Sequence, residues 1–191
     1  MRLWTSQTIE FYNELMEKGI AYCTRVSEFA QENDFAYHWI AEQTRKRIGE
    51  PPMPGIKLPV WAWYQFGSKK KRKPPLSNVV KNNPEGKEIS IEFEAPDELV
   101  LLSDFQLWHY PLNGWDLCVD KRAAKRIDEY SHTDFKEKPE EIQKLIVDSW
   151  DLIFDLNFRH KRIVTIHKKN RSIQATLWYI RKEWVISATE Y

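Results

Sequence analysis

Asp104 and His109 are the residues of this sequence that could support acid–base chemistry. The apolar run 99–102 predicts a buried strand, and Ser103 and Asp104 follow it directly, which places a carboxylate at the carboxyl edge of the strand. Ligands often bind at that edge of an open sheet. The unperturbed pKa of a histidine lies near neutrality. Asp104 and His109 are therefore candidate catalytic residues, and Trp108 could line their pocket. The alternative is that Asp104 caps a helix and Trp108 fills the core.

A run of basic residues follows an aromatic segment that contains Trp61 and Trp63. Single-strand nucleic-acid sites combine a positive groove with aromatic rings that stack on the bases. The run is therefore a candidate nucleic-acid contact, formed by Lys69, Lys70, Lys71, Arg72 and Lys73. The alternative is a solvated loop, because the formal net charge of the chain is only +1.

The nine tryptophans are spread through almost every predicted element. Most of them are expected in the core, where each buried indole N–H still needs a hydrogen-bond partner. A subset could form an aromatic-walled cleft for a planar ligand.

The common signatures of nucleotide, hydrolase and redox enzymes do not occur in this sequence. There is no GxGxxG, Walker loop or GxSxG elbow, and the six glycines offer little material for a phosphate-binding loop. The five histidines show no zinc-ligand spacing, and the two cysteines, at 23 and 118, lie far apart. We expect no metal, we assign no cofactor, and we interpret both cysteines as reduced thiols.

Composition and length favour one globular domain. The chain has 191 residues, of which 42% are hydrophobic and 30% charged, with both signs interspersed. No apolar run reaches the length of a signal peptide or of a membrane span. We therefore expect a cytoplasmic protein without a membrane partner.

The hydrophobic patterns predict an α+β domain over residues 1–191, with a mixed or largely antiparallel sheet and flanking helices. A flexible basic loop is expected at about 67–87. Thr5 or Ser6 is expected to cap the first helix, which ends at Gly19. Further helices are predicted at 35–48, 120–130 and 139–154, and strands at 3–5, 60–66, 88–94, 99–102, 173–180 and 184–186.

Over nearly its full length the chain resembles the uncharacterised bacterial domain-of-unknown-function family 3841. The residues that carry the resemblance are Leu3-Trp4-Thr5, Gln7, Gly19, Ala36-Tyr37-His38-Trp39, Pro59-Val60-Trp61-Ala62-Trp63, Leu101-Leu102-Ser103-Asp104-Phe105, Trp108-His109, Leu112-Asn113 and Ile173-Gln174-Ala175-Thr176. The resemblance implies no activity. Our candidate ligand-binding residues all lie within these stretches: Trp4, Thr5, Gln7, Trp61, Trp63, Trp108, Asn113 and Gln174.

The order of elements is also similar to that of ADP-ribosyltransferase-like folds, which hold NAD in a split-sheet cleft. The similarity consists of an opening strand, a helix ending in Gly19, an aromatic second strand and a late strand with Gln174. Two features depart from that pattern. The first strand lacks a clear arginine or histidine in the usual setting, and Thr176 stands where the catalytic glutamate would be.

Two functional hypotheses follow from the sequence. The first is an enzyme acting on a nucleotide or nucleic acid, with a pocket around Asp104. The second is a non-catalytic module that binds a protein or a nucleic acid, which the lack of a complete catalytic signature favours. Replacing Asp104 is expected to distinguish the two.

Overall fold

A six-stranded antiparallel sheet forms the centre of the protein in a computed structural model that describes residues 1–24, 28–67, 73–75, 88–160 and 170–190. Its strands lie in the order β5-β6-β3-β1-β4-β8. They are β1 (Arg2–Thr8), β3 (Val60–Gln65), β4 (Glu88–Glu94), β5 (Leu101–Asp104), β6 (Ile173–Leu177) and β8 (Val185–Glu190). A second, two-stranded sheet pairs β2 (Ile20–Tyr22) with β7 (Tyr179–Arg181). The predicted α+β class with a largely antiparallel sheet is confirmed.

Six α-helices accompany the sheets within the described residues. They are α1 (Ile9–Lys18), α2 (Glu28–Glu32), α3 (Asp34–Ile48), α4 (Phe105–Leu112), α5 (Lys121–Asp128) and α6 (Glu140–Ser149). Asp104 caps α4 and Asp120 caps α5, each through side-chain bonds from two backbone N–H groups. A 3₁₀ turn, Trp150–Phe154, completes the helix predicted at 139–154. None of the described helices has the length and apolarity needed to cross a membrane.

The first helix begins later than the sequence suggested. Thr8, and neither Thr5 nor Ser6, is its N-cap, and the Thr8 side chain accepts from the backbone N–H of Phe11. The reason is that β1 stays paired with β4 up to Thr8 and Glu88, which keeps the preceding residues extended. Gly19 ends the helix at a φ of 77°, as predicted.

The strand predicted at 173–180 is divided between the two sheets. β6 ends at Leu177 and β7 begins at Tyr179. Between them Trp178 is buried, and its indole N–H donates to the carbonyl of Gly49. This anchored side chain marks the turn by which the chain leaves the large sheet, which an alternating pattern alone does not reveal.

One face of the large sheet is apolar and packs against α1. Leu3 of β1, Ile91 and Phe93 of β4 and Ala175 of β6 lie in one buried cluster with Leu15 of α1. Since successive side chains of a strand point to opposite faces, the residues between them lie on the other face. That second face carries the candidate site.

Candidate functional site

A row of six side chains crosses the sheet on the face opposite α1. Each member is the direct cross-strand partner of the next, and directly opposed residues of antiparallel strands share a face. From β5 to β8 this tryptophan row consists of Ser103, Gln174, Trp63, Trp4, Glu92 and Ser187. It brings together three of the predicted ligand-binding residues: Trp4, Trp63 and Gln174.

Three members of the tryptophan row carry buried polar atoms that lack a hydrogen-bond partner among the described residues. They are Nε1 of Trp4, Oε1 of Gln174 and Oγ of Ser103, and Nε1 of Trp61, two residues before Trp63 on β3, shares this property. Leaving such a group unpaired costs about 1–3 kcal/mol. Native structures rarely keep several together without a role. The set offers two indole donors, one amide acceptor and one hydroxyl that can do either.

Aromatic rings flank this part of the sheet. The Trp61 ring lies 5.1 Å from that of Trp108 on α4, and Tyr37 of α3 stands edge-on to both, at 6.0 and 5.8 Å. Burial raises the pKa of the Tyr37 hydroxyl, so this ring is neutral at physiological pH. Trp108, predicted from the sequence as a ligand contact, thus contacts Trp61, which is next to the row on β3.

A second aromatic chain runs from the row to His109. Trp63 lies 5.1 Å from Phe105, and Phe105 lies 4.8 Å from the His109 ring. The His109 ring is also held by its own helix, since its Nδ1 lies 2.9 Å from the Phe105 carbonyl oxygen. Asn113, the C-cap of α4, donates from Nδ2 to the His109 carbonyl. The helix α4 therefore holds His109 against Phe105, which in turn contacts Trp63. The contact made by Asn113 is with the end of its own helix.

Glu92 supplies the carboxylate of the row. Its Oε1 lies 2.9 Å from Nε of Arg2, and its Oε2 accepts from the hydroxyl of Ser187 at 3.4 Å. Lys73 approaches the same oxygen to 3.9 Å. This is where the structure places Lys73, while Lys69, Lys70, Lys71 and Arg72 lie outside the described residues. The described end of the basic run thus forms a second, longer ion pair with the carboxylate that Arg2 already contacts.

Asp104 lies beside the row and both of its carboxylate oxygens are engaged inside the protein. Oδ1 accepts from the backbone N–H groups of Gln106 and Leu107, and Oδ2 accepts from Nη1 of Arg171 at 2.9 Å. Both side chains of this ion pair are buried. The observed contacts are those of a helix cap and an ion pair, and a catalytic role for Asp104 with His109 stays a prediction.

Thr5 and Gln7 point away from the row. They alternate with Trp4 along β1, so they lie on the α1 side of the sheet. Gln7 donates from Nε2 to the Thr5 hydroxyl at 2.8 Å, and that hydroxyl lies 2.7 Å from the Trp61 carbonyl oxygen, to which it donates. The structure therefore separates these two candidates from the other residues of β1 and β3 that were predicted to bind ligand.

Sequence reasoning missed Glu92, Ser103 and Arg171 as parts of this region. Glu92 could have been found from period-two alternation, which puts it on the face of the sheet opposite to that of Ile91 and Phe93. Ser103 could not, because its place beside Gln174 depends on the pairing of β5 with β6. Arg171 carries no such signal, because its partner Asp104 lies on a distant segment. No described group of three or more histidine, cysteine, aspartate or glutamate side chains is arranged to hold a metal ion.

Comparisons with known proteins add a family and no activity. A family model described as "Domain of unknown function (DUF3841)" matches residues 2–186. No curated protein and no solved structure matches the chain.

Proposed function

Since the chain belongs to the family DUF3841, whose description names no activity, we propose a function from the geometry of the site. The protein binds a nucleotide whose planar base or amide lies against the tryptophan row. The observation that carries this proposal is a group of buried polar atoms that have no hydrogen-bond partner among the described residues, at Trp4, Trp61, Ser103 and Gln174. They occur on four neighbouring strands and on one face.

The chemistry of the site suits a heteroatom-rich ring. Indole rings stack on nucleobases, and such stacking contributes about 1–3 kcal/mol per base. The unpaired indole N–H groups of Trp4 and Trp61 can donate to ring nitrogens or carbonyls, and Oε1 of Gln174 can accept from an exocyclic amine. A purely apolar ligand would leave all four groups unpaired, so a hydrogen-bonding ring is the better fit.

NAD is the first nucleotide to test. The resemblance of the sequence to ADP-ribosyltransferase-like folds supports this choice, and Trp4, Trp63 and Gln174 lie on β1, β3 and β6. The aromatic strand was predicted as the second strand but is the third strand of the chain, because β2 (Ile20–Tyr22) precedes it. Thr176 stands at the position of the expected glutamate, and its hydroxyl lies 3.2 Å from that of Thr44, with which it is hydrogen-bonded. The proposal is therefore binding, and Asp104 with His109 remains the candidate pair for a reaction.

The test is a thermal-shift and calorimetric titration of the whole chain with NAD, ATP and GTP. Wild-type protein is expected to be stabilised by about 2.7 kcal/mol when a nucleotide is present at about 100 times its Kd. Gln174→Leu and Trp4→Phe, which remove one acceptor and one donor, should each weaken binding about 5- to 150-fold, the effect of about 1–3 kcal/mol.

Matched substitutions away from the row serve as controls. Gln106→Leu changes an exposed glutamine on α4, and Trp184→Phe changes a partly buried tryptophan that stacks on Tyr179. Both should bind like the wild type. A folded wild-type protein that binds none of the three nucleotides would overturn the proposal and favour the alternative of a non-catalytic module for a protein or nucleic-acid partner.

A further inference from the structure

A second candidate site is a cavity of about 620 Å³ between α5, α6 and the loop that follows α4. Its volume lies within the range of small-molecule sites. Ile127 and Ile146, both nearly inaccessible to solvent, form its apolar floor. None of the residues that line it belongs to the tryptophan row, so this cavity is separate from the site proposed above.

Trp115 lines the cavity and is unusually exposed for a tryptophan whose backbone is fixed. The residue is 58% exposed. Its backbone N–H donates to the Tyr110 carbonyl at 2.9 Å, and its own carbonyl accepts from Nε1 of Trp150 at 2.7 Å. The backbone is therefore held on both sides while the ring remains open to solvent. Such a pre-ordered ring is suited to stacking, because little conformational freedom is lost on binding.

Lys121 and Lys125 stand four residues apart on α5, and both line the cavity. Neither forms an ion pair with a described residue. Of the two aspartates in the lining, Asp116 is engaged through Oδ2 with the backbone N–H of Cys118, and Asp128 lies at the carboxyl end of α5. Two adjacent ammonium groups are thus available to an anionic ligand.

The helix α5, which carries these lysines, is held by side-chain hydrogen bonds at both ends. Lys138 is 9% exposed, and its ammonium group donates to the carbonyls of Tyr130 and Thr133 just after α5. Asp120 caps the other end of the helix. The cavity is therefore preformed in the described structure, with an apolar floor, a stacking ring and two cations.

We propose that this cavity binds a nucleotide unit, with the base stacked on Trp115 and the phosphate paired with Lys121 and Lys125. A flat ring joined to an anion is the chemistry that these three side chains select together. The unit can come from a free nucleotide or from a single-stranded nucleic acid, and the experiment separates the two sources.

The experiment measures AMP by calorimetry and a labelled adenylate oligonucleotide of about 12 residues by fluorescence anisotropy. Trp115→Ala should weaken binding about 5- to 150-fold, corresponding to the stacking contribution of about 1–3 kcal/mol. The double variant Lys121→Gln/Lys125→Gln should weaken binding similarly. For the oligonucleotide, it should also reduce the slope of log K against log salt concentration by the amount expected for the loss of about two phosphate contacts. Binding of AMP alone identifies a free nucleotide as the source, and binding of the oligonucleotide identifies a single strand.

Arg122→Gln is the matched control, since Arg122 lies on the same helix outside the cavity lining. It should leave AMP affinity unchanged. Lys144→Gln, an exposed change on α6 outside the cavity lining, should also leave it unchanged. The proposal is overturned if the folded wild-type protein binds neither probe, or if binding survives both cavity variants. Loss of AMP binding in the cavity variants assigns that binding to this cavity, and loss of nucleotide binding in Gln174→Leu and Trp4→Phe assigns it to the tryptophan row.

Discussion

Arg171 donates through Nη1 to Oδ2 of Asp104 at 2.9 Å, in a pair whose side chains are 2% and 0% exposed. Nη2 of the same guanidinium donates to the Phe158 carbonyl at 2.5 Å. The other oxygen of Asp104 caps α4. One carboxylate therefore ties the end of β5, the start of α4 and the segment before β6 together, next to the tryptophan row.

Breaking this pair is expected to be costly. Arg171→Met should lower the free energy of unfolding by about 3–5 kcal/mol, because it leaves a carboxylate buried without its counter-charge. Urea denaturation measures the loss. Lys144→Met, which breaks the exposed pair with Asp148, is the control and should cost less than about 1 kcal/mol. Equal losses in the two variants would contradict an energetic role for burial.

Removing an unpaired polar group from the tryptophan row should leave the unliganded protein as stable as before or more stable. Ser103→Ala is expected to raise the free energy of unfolding, or leave it unchanged, since burying an unsatisfied hydroxyl costs about 1–3 kcal/mol. Thr44→Val is the contrasting variant, because the Thr44 hydroxyl donates to the Ile40 carbonyl and contacts Thr176. It should destabilise by about 1–3 kcal/mol. A large loss in Ser103→Ala would show that its hydroxyl is satisfied within the protein.

Gly114 holds the loop before Trp115 in a conformation that a side chain would disturb. Its φ is 63°, and a Cβ there would lie 2.4 Å from Cβ of Phe135. Gly114→Ala should therefore cost about 1–2 kcal/mol for the left-handed backbone and about 1–3 kcal/mol more for the overpacking against Phe135, about 2–5 kcal/mol in all. Gly55→Ala has a similar φ of 92° but meets nothing within 4 Å, so it should cost only about 1–2 kcal/mol. Thermal unfolding of the two variants compares them, and equal shifts would rule out the contact with Phe135 as the cause.

The thiol of Cys23 should make stability fall at alkaline pH. Burial raises its pKa above the ordinary value of 9.0. The native state therefore holds this proton more tightly than the unfolded state, so the stabilisation is complete below pH 9.0 and is lost as the pH rises through the folded pKa. Urea unfolding at several alkaline pH values measures the slope. Cys23→Ala should flatten it, and an identical slope in the variant would refute the assignment.

Much of the fold could be predicted from the sequence because the governing signals are local. The alternation of Ile89, Ile91 and Phe93 defines β4, and Gly19 and Gly49 end the first and third helices. Element ends that depend on distant partners were less predictable. The late start of α1 follows from pairing with β4, and the break at Trp178 follows from a contact with Gly49.

The candidate site was only partly predictable for the same reason. Trp4, Trp63 and Gln174 were singled out by residue type, and the register that aligns them is a property of three strands far apart in the chain. Thr5 and Gln7 were grouped with Trp4 as neighbours in sequence, although alternation places them on the opposite face. Arg171 forms its ion pair with Asp104 across a long sequence separation, so no local sequence pattern predicts the pair.

The position of β6 in the sheet has a consequence for how the protein is made. This strand is the second-last of the large sheet in the chain, yet it lies between β5 and β3. Within the described residues β5 has no other strand neighbour, so it stays unpaired on a growing chain until Ile173–Leu177 has been synthesised. Such late, non-local pairing slows folding and leaves an open strand edge exposed during translation. Assembly of the complete tryptophan row must therefore wait until β6 has been synthesised.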